Sequence, residues 1–357
     1  PEDSETPWLT REVIRFMESR SDEECWMCHA SYIKPHWPYI VPEPYHDMFG
    51  KNHVPAATRS AVERENPHPV YEQFMNNAIG KAFRREEVRE TVIPAYMGLI
   101  KQCDDQMGVL FDYMERSGRM DDTMIVITSD HGDYLGDHWL GEKDLFHEQS
   151  AKIPLIIYDP SPHADCRRGS VCDELVESID LAATFVEFYG GTVPDHIIEG
   201  RSLAPYLMGN QPKRWRDFAI SEYDYSATPM AMNLGLAPKD ARLFMVADKR
   251  WKFMHAEGEL PGGGGPFRPM LFDLESDPNE FHDLGASRDH QDIIDLMYER
   301  LGQWGRRLAQ RTTRSEQDIL NMRGVSRRKG IVLGVYDGSE ADAELTVKYR
   351  GSAPARP

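Results

Sequence analysis

Cysteine is scarce in this chain of 357 residues: there are five, Cys25, Cys28, Cys103, Cys166 and Cys172, an odd number at irregular spacing. Such a set does not build a disulfide framework, and it fits a reducing, cytoplasmic setting. Positive charge is also in deficit. A formal net charge of −18 argues against nucleic acid as a partner, because a phosphate backbone calls for a basic surface. No apolar run is long enough to cross a bilayer, so no membrane contact is expected. No basic segment followed by an apolar one stands at the start, so nothing argues for export. The chain opens on Pro1 and not on methionine, as a trimmed product or a part of a longer polypeptide would. No internal repeat is present.

What remains is an ordinary globular composition, 40% hydrophobic and 28% charged, with length for one large domain or two unequal ones. Leu9, Val13, Ile14, Phe16 and Met17 recur at helical spacing and predict a helix over about 9–18. "EECWMCHASY" reads as a buried strand. Its Cys25 and Cys28 form a CxxC without a second one to complete a zinc set, so they read as small buried hydrophobes. "IKPHWPYIVPEPYHDMF" carries four prolines. It cannot be helix or central strand and must be a long loop, a kind that often carries function.

Residues 50–85 are polar and irregular, and the Arg and Lys along 81–89 read as a solvated helix face, with a place near a pocket as the alternative. From Arg85 to Ser117 a strong helical pattern appears, with Pro94 expected to kink or split it and Gly118 to cap it. All-apolar strands follow at 124–128 and 153–159, then a helix in "LVESIDLAATFVEFYGG". Helix, strand, strand, helix argues for an α/β fold: a mostly parallel central sheet with helices on both faces.

After about residue 210 the texture changes to short strands joined by turns. Lys249–Arg250 is a plausible hairpin turn, "PGGGGP" is a flexible loop, and "QDIIDLMYERLGQWGRRLAQR" is an amphipathic helix. A smaller antiparallel sheet with one helix is expected. The expected division is residues 1–210 for the α/β part, 211–311 for the antiparallel subdomain and 312–357 for a C-terminal extension. That extension holds one strand-like run, "GIVLGVY". It suits contacts in a homo-oligomer, while disorder of the last ten residues is an equal alternative.

The most informative stretch is "MIVITSDHGDYLGDH", Met124 to His138. A buried strand runs straight into Asp130, His131 and a turning Gly132. Ligands of open α/β sheets bind beyond the carboxyl ends of the strands. Asp130 oxygen and His131 nitrogen brought together by the turn suit a divalent transition metal better than calcium. The plainer alternative is an Asp130 that caps the next turn beside a satisfied His131. Lys143 follows in the same glycine-punctuated loop as a point charge suited to an anionic oxygen, and His36 lies in the proline-rich loop. A metal ligand pair with Lys143 and His36 fits hydrolysis of a phosphorus or sulfur ester.

Several spaced segments resemble one family. "DDTMIVITSDHGDYLGDHWLGEKDLFHEQSAKIPLII", "SIDLAATFVEFYGG" with "IEGRSLAPYL", "LFDLESDPNEFHDL", "SYIKPHWPY" and "SEYDYS" are similar, in order, to sulfatases of the alkaline phosphatase superfamily. The bacterial phosphonate monoester hydrolase and arylsulfatase branch looks closest. The resemblance implies hydrolysis of a small anionic ester by a formylglycine mechanism around one divalent metal ion (Mn, Zn or Ca). It implies Asp130 and His131 as metal ligands. It also implies Lys143 as a contact to nucleophile and substrate, and His36 as a contact to the anionic group or leaving group. His138 is expected to be structural, and His147 and Glu148 follow where the family often has an acidic residue.

The family's nucleophile stands in a Cys/Ser-x-Pro-x-Arg motif, and none of the five cysteines here has that context. The chain therefore resembles the C-terminal two-thirds of such an enzyme, with an N-terminal segment needed for a complete site. Two alternatives stay open. One is a non-catalytic sulfatase-like binding or assembly subunit. The other is a phosphomutase or alkaline phosphatase-like enzyme with a Ser or Thr nucleophile and two metals.

Overall fold

In the computed structural model, residues 2–212, 214–260, 262–310 and 312–322 are described. In chain order the regular elements are α1 (Glu5–Glu18), α2 (Pro69–Met75), α3 (Ala78–Phe83), α4 (Glu86–Ser117), β1 (Ile125–Thr128), α5 (Glu148–Ala151), β2 (Leu155–Tyr158), α6 (Asp180–Phe188), α7 (Ala204–Leu207), β3 (Ala219–Asp224), α8 (Pro229–Asn233), β4 (Arg242–Ala247), β5 (Trp251–Ala256), β6 (Met270–Asp273), α9 (Gln291–Arg307) and α10 (Glu316–Met322). "GIVLGVY" and most of the expected C-terminal extension lie outside the described residues.

The described residues divide into two compact units, one of residues up to 177 with 205–302 and one of residues 178–204 with those from 303 on. The second holds α6. Asp180 Oδ1 accepts from the Arg201 amide at 2.8 Å and Thr184 Oγ1 accepts from the Leu203 amide at 2.9 Å. The returning chain is thereby tied to the helix start.

In the first unit α1 forms where the apolar spacing predicts. It buries Val13 and Met17 against Met114 of α4, with Leu9, Phe16 and Leu110 around them. The strand expected at "CWMCHASY" does not form, and Cys25 and Cys28 are exposed. A strand needs a neighbour to satisfy its backbone, and among the described residues this stretch has none. α4 runs unbroken through Pro94. Its Ile93, Pro94 and Gly98 are buried, and a side chain at Gly98 would sit 2.5 Å from the Tyr45 carbonyl oxygen. Packing there outweighs the one helical bond that proline removes. Gly118 ends the helix in the left-handed conformation, φ 76°.

β1 and β2 pair antiparallel, Ile125 with Tyr158 through Thr128 with Leu155. The alternation of elements argues for a mostly parallel central sheet, and this pair departs from it by being antiparallel. Thr128 and Leu155 lie at the same end, so residues 129–154 leave and return at one end of the pair as a long hairpin connection, not as a crossover. Every candidate residue between Asp130 and Glu148 rides on that connection. Neither strand is fully buried, and Ile156 is 60% exposed.

The smaller sheet is an antiparallel meander, β3-β4-β5-β6. The turn between β4 and β5 is closed by Asp248, whose Oδ1 accepts from the amides of Arg250 and Trp251 at 2.8 and 2.7 Å. One face of the sheet packs Val246, Phe253 and Leu271 on Ile294 and Met297 of α9. The other face joins Phe74, Tyr134, Leu140, Leu145 and Phe146 in a larger core. The 129–154 connection is thus rooted in the hydrophobic interior of the small sheet.

His68 shows how a buried polar group is used in this frame. Its Nδ1 caps α2 by accepting from the Val70 amide at 3.3 Å, and its Nε2 lies 3.0 Å from the Arg268 carbonyl oxygen. Burial, then the Arg268 guanidinium, pushes its pKa down to about 4. The fold therefore holds His68 neutral while the unfolded chain takes up a proton near pH 6.5. The stabilisation is complete above about pH 6.5 and is lost as pH falls towards 4, by up to roughly 3 kcal/mol. Urea midpoints should drop over that interval. His68→Asn, which keeps a capping oxygen, should show a shallower drop; an equal slope in both proteins contradicts the assignment.

Candidate active site

At the end of β1 the chain folds tightly around Asp130 and His131. Ser129 Oγ donates to the His131 carbonyl oxygen at 2.7 Å, and the His131 amide donates to Asp130 Oδ1 at 3.0 Å. His131 Nδ1 donates to the Gly132 carbonyl oxygen at 2.8 Å. A carbonyl can only accept, so Nδ1 carries the proton and Nε2 keeps its lone pair free. That Nε2 lies 3.5 Å from Asp130 Oδ2, with the Asp130 side chain 85% exposed and that of His131 28% exposed. An oxygen and an imidazole nitrogen side by side at an accessible strand end fit a divalent ion, and the locked tautomer is the one a metal needs.

Gly132 is required by close approach. Its amide donates to the Ser150 carbonyl oxygen at 2.9 Å, and a Cβ there would lie 1.9 Å from the Gln149 carbonyl oxygen.

His36 and Lys143 complete the group. His36 Nδ1 donates to the Trp37 carbonyl oxygen at 2.7 Å, which leaves Nε2 as acceptor for Lys143 Nζ at 2.7 Å. The His36 and His131 rings meet edge to face with centroids 6.0 Å apart. Ser150 Oγ donates to the Lys143 carbonyl oxygen and fixes its backbone. The four residues expected from sequence, Asp130, His131, Lys143 and His36, therefore gather at one place.

Other neighbours carried little or no sequence signal. Tyr39, in the His36 loop, donates to Asp133 Oδ2 at 3.3 Å, and Asp133 Oδ1 accepts from the Leu135 amide at 3.1 Å. Burial pushes Asp133 up to about 6, against the pull of those two hydrogen bonds. Tyr223 of β3 donates to Asp144 Oδ1 at 3.1 Å, beside Lys143. The proline-rich loop and the Tyr-rich segment were visible as segments; which acid each tyrosine would meet was not. Arg89, expected on a solvated helix face, is 2% exposed. It donates to the carbonyl oxygens of Leu135 at 3.2 Å and Pro55 at 2.9 Å. A helix face is solvated only where nothing packs on it, and here the 133–140 loop does.

His138 and His147 are buried and stack face to face, centroids 3.8 Å apart and planes 9° apart. His138 Nδ1 lies 2.6 Å from Glu63 Oε1, and Tyr134 Oη lies 3.0 Å from His147 Nδ1. Burial, then His138 and Lys252, holds the His147 pKa well below its ordinary value. Ligand atoms of Glu63, His138 and His147 lie within 4.8 Å of one another. The stack nevertheless does not suit a shared ion. Imidazole lone pairs lie in the ring plane, and two parallel planes this far apart have no common point. Glu148 pairs instead with Lys252 at 2.7 Å, and Lys252 pairs also with Glu280 at 2.8 Å. Burial opposes the charge on Glu148, but Lys252 and Lys152 hold its carboxyl below the usual range, whereas burial raises that of Glu280.

With this geometry in place, likeness to known proteins is informative. Residues 5–191 match the sulfatase family model, and residues 136–307 match that of the N-sulphoglucosamine sulphohydrolase C-terminal region. The chain belongs to the sulfatase family. Among relatives, it is 31% identical over 303 residues to the multifunctional alkaline phosphatase superfamily protein PehA of Trinickia caryophylli, covering 79% of this chain and 56% of that one. It is 27% identical over 297 residues to an arylsulfatase of Clostridium perfringens, covering 82% and 56%. Its fold superposes on the phosphonate monoester hydrolase SpPMH from Silicibacter pomeroyi with a TM-score of 0.76 at 29% identity, covering 86% of this chain and 61% of that one. The α/β sulfatase-like architecture expected from sequence is thereby established, and the chain spans 56% of the length of these two relatives.

Gly132→Ala should lower stability by about 3 kcal/mol, because two backbone segments must part to admit one methyl group. A thermal melt indistinguishable from that of the unaltered protein refutes the close approach.

Proposed function

We propose that this chain carries the metal- and cation-bearing part of a site that hydrolyses sulfate or phosphonate esters by a sulfatase-type mechanism. The observation that carries the proposal is the contact of Lys143 Nζ with His36 Nε2 at 2.7 Å beside the His131 ring. The Lys143 ammonium, which donates to His36 Nε2 in the free protein, can turn to the oxygens of a bound anion, and Nε2 can do so once it carries a proton.

Asp130 and His131 would hold one divalent ion, of the Mn, Zn or Ca set with a transition metal favoured by the nitrogen donor. When bound, such an ion polarises the ester and stabilises charge on its oxygens. The ammonium of Lys143 adds a fixed positive charge where negative charge accumulates. His36 is held through Nδ1 by the Trp37 carbonyl oxygen, so Nε2 is the nitrogen that faces the site; once it takes up a proton it can hydrogen-bond the anion or give that proton to a departing oxygen. No cysteine of this chain stands in the family's nucleophile motif. A formylglycine nucleophile supplied by a segment that is not among these residues is therefore part of the proposal. A cytoplasmic setting belongs to the same proposal; all five cysteines are unpaired.

The test uses the natural full-length polypeptide with divalent metal supplied, assayed on aryl sulfates and phosphonate monoesters. Lys143→Ala, His36→Ala and Asp130→Ala should each lower kcat/KM by about 10²–10³-fold, the usual loss when one preorganised stabilising group is removed. Undiminished turnover in all three, in well-folded protein, would falsify the proposal.

A further inference from the structure

Lys143 stands on a loop whose two sides are clamped together beneath it. The clamp is the buried stack of His138, which precedes Lys143, on His147, which follows it. Glu63 holds the first ring at 2.6 Å, and Tyr134 holds the second at 3.0 Å while its oxygen also accepts from the His147 amide at 3.2 Å. Between these points the backbone is unusual. Leu135, His138, Trp139 and Glu142 all have positive φ, at 46°, 49°, 63° and 60°. Non-glycine residues adopt that region reluctantly and keep it only when their surroundings force it.

The forcing contacts come from residues 58–63. The His138 amide donates to the Thr58 carbonyl oxygen at 2.9 Å, and the Thr58 amide to Asp137 Oδ1 at 2.8 Å. Trp139 Nε1 donates to the Ser60 carbonyl oxygen at 2.7 Å. His138 Nε2 is buried with no hydrogen-bond partner. A phenylalanine would fill the same space without stranding a polar atom, so the choice of histidine points to its other nitrogen, the one on Glu63.

We infer that Glu63 and His138, through the stack on His147, are positioning residues that set the height and direction of Lys143 against His36. Neither touches the reacting group. The inference rests on Lys143 serving the site proposed above. It also gives these three residues a purpose that metal binding does not, since the parallel rings cannot share an ion.

The test compares His138→Phe, which keeps a stacked ring and loses the Glu63 bond, with His138→Ala, which loses both. Lys143 exposure is read as its rate of labelling by an amine-acylating reagent, mapped by mass spectrometry; turnover is read in the full-length protein. His138→Ala should label faster at Lys143 and lower kcat by about 30–100-fold with KM nearly unchanged, as expected for a displaced group that acts mainly in the transition state. His138→Phe should lie between it and the unaltered protein.

Labelling and kcat within about twofold of the unaltered protein in whichever variant melts cooperatively would overturn the inference. So would one equivalent of zinc bound by the unaltered protein and lost from both His138→Ala and Glu63→Ala. Full turnover by Lys143→Ala would instead sink the functional proposal, and the labelling comparison would still decide the positioning.

Discussion

The Lys143 Nζ to His36 Nε2 hydrogen bond joins residues 107 apart in the chain, and the candidate site depends on the two loops that bring these residues together. Neither partner lies on a helix or strand. His36 stands in a loop punctuated by prolines, and Lys143 stands on the long connection from β1 to β2. A charged group on a flexible stem is useful for electrostatic stabilisation only if its approach is fixed in advance. Much of the surrounding structure can be understood as the means by which two loops are made as definite as helices.

Those means are a trade between strain and satisfaction. Four non-glycine residues of the Lys143 loop sit in the left-handed region, at a cost of order 1–3 kcal/mol each. The cost is offset by part-buried hydrogen bonds with Thr58, Ser60 and Arg89, and by Leu140, Leu145 and Phe146 in the larger core. Further along, Lys252 of β5 lies buried between Glu148 and Glu280. Removing Lys252 would leave the two carboxylates without compensation, typically at about 3–5 kcal/mol. The small antiparallel sheet therefore contributes more than bulk. Lys252 on β5 and Tyr223 on β3 reach back to Glu148 and Asp144, both in the chain that follows Lys143.

The candidate residues fall into two groups by what holds them. Asp130 and His131 are set by local covalent geometry: a strand end, a turn at Gly132 and hydrogen bonds to neighbouring residues. Lys143 and His36 are set by contacts distant in sequence. The first group was legible in "TSDHGD", because a strand running into Asp, His and Gly has few conformations open to it. The second was legible only as residue types in suitable loops, and the likeness of spaced segments to a family supplied the pairing. Glu63 was not legible at all, since nothing in the polar stretch around it marks one carboxylate from the next. The buried fate of Arg89 was hidden for the same reason: its helix face looks solvated until the loop that covers it is folded.

Sequence alone determined the helices α1, α4, α6 and α9, the antiparallel meander and its turn at Lys249–Arg250, and the chemical character of the strand end at Asp130 and His131. These follow from periodicity, turn residues and short-range hydrogen bonds, which act over a few residues. Tertiary structure decided that β1 and β2 run antiparallel, that "CWMCHASY" has no strand neighbour among the described residues, and that His138 and His147 face each other. It also decided that Lys143 meets His36. Each depends on which distant segment arrives alongside, and pairing and packing energies have no value until both partners are in place.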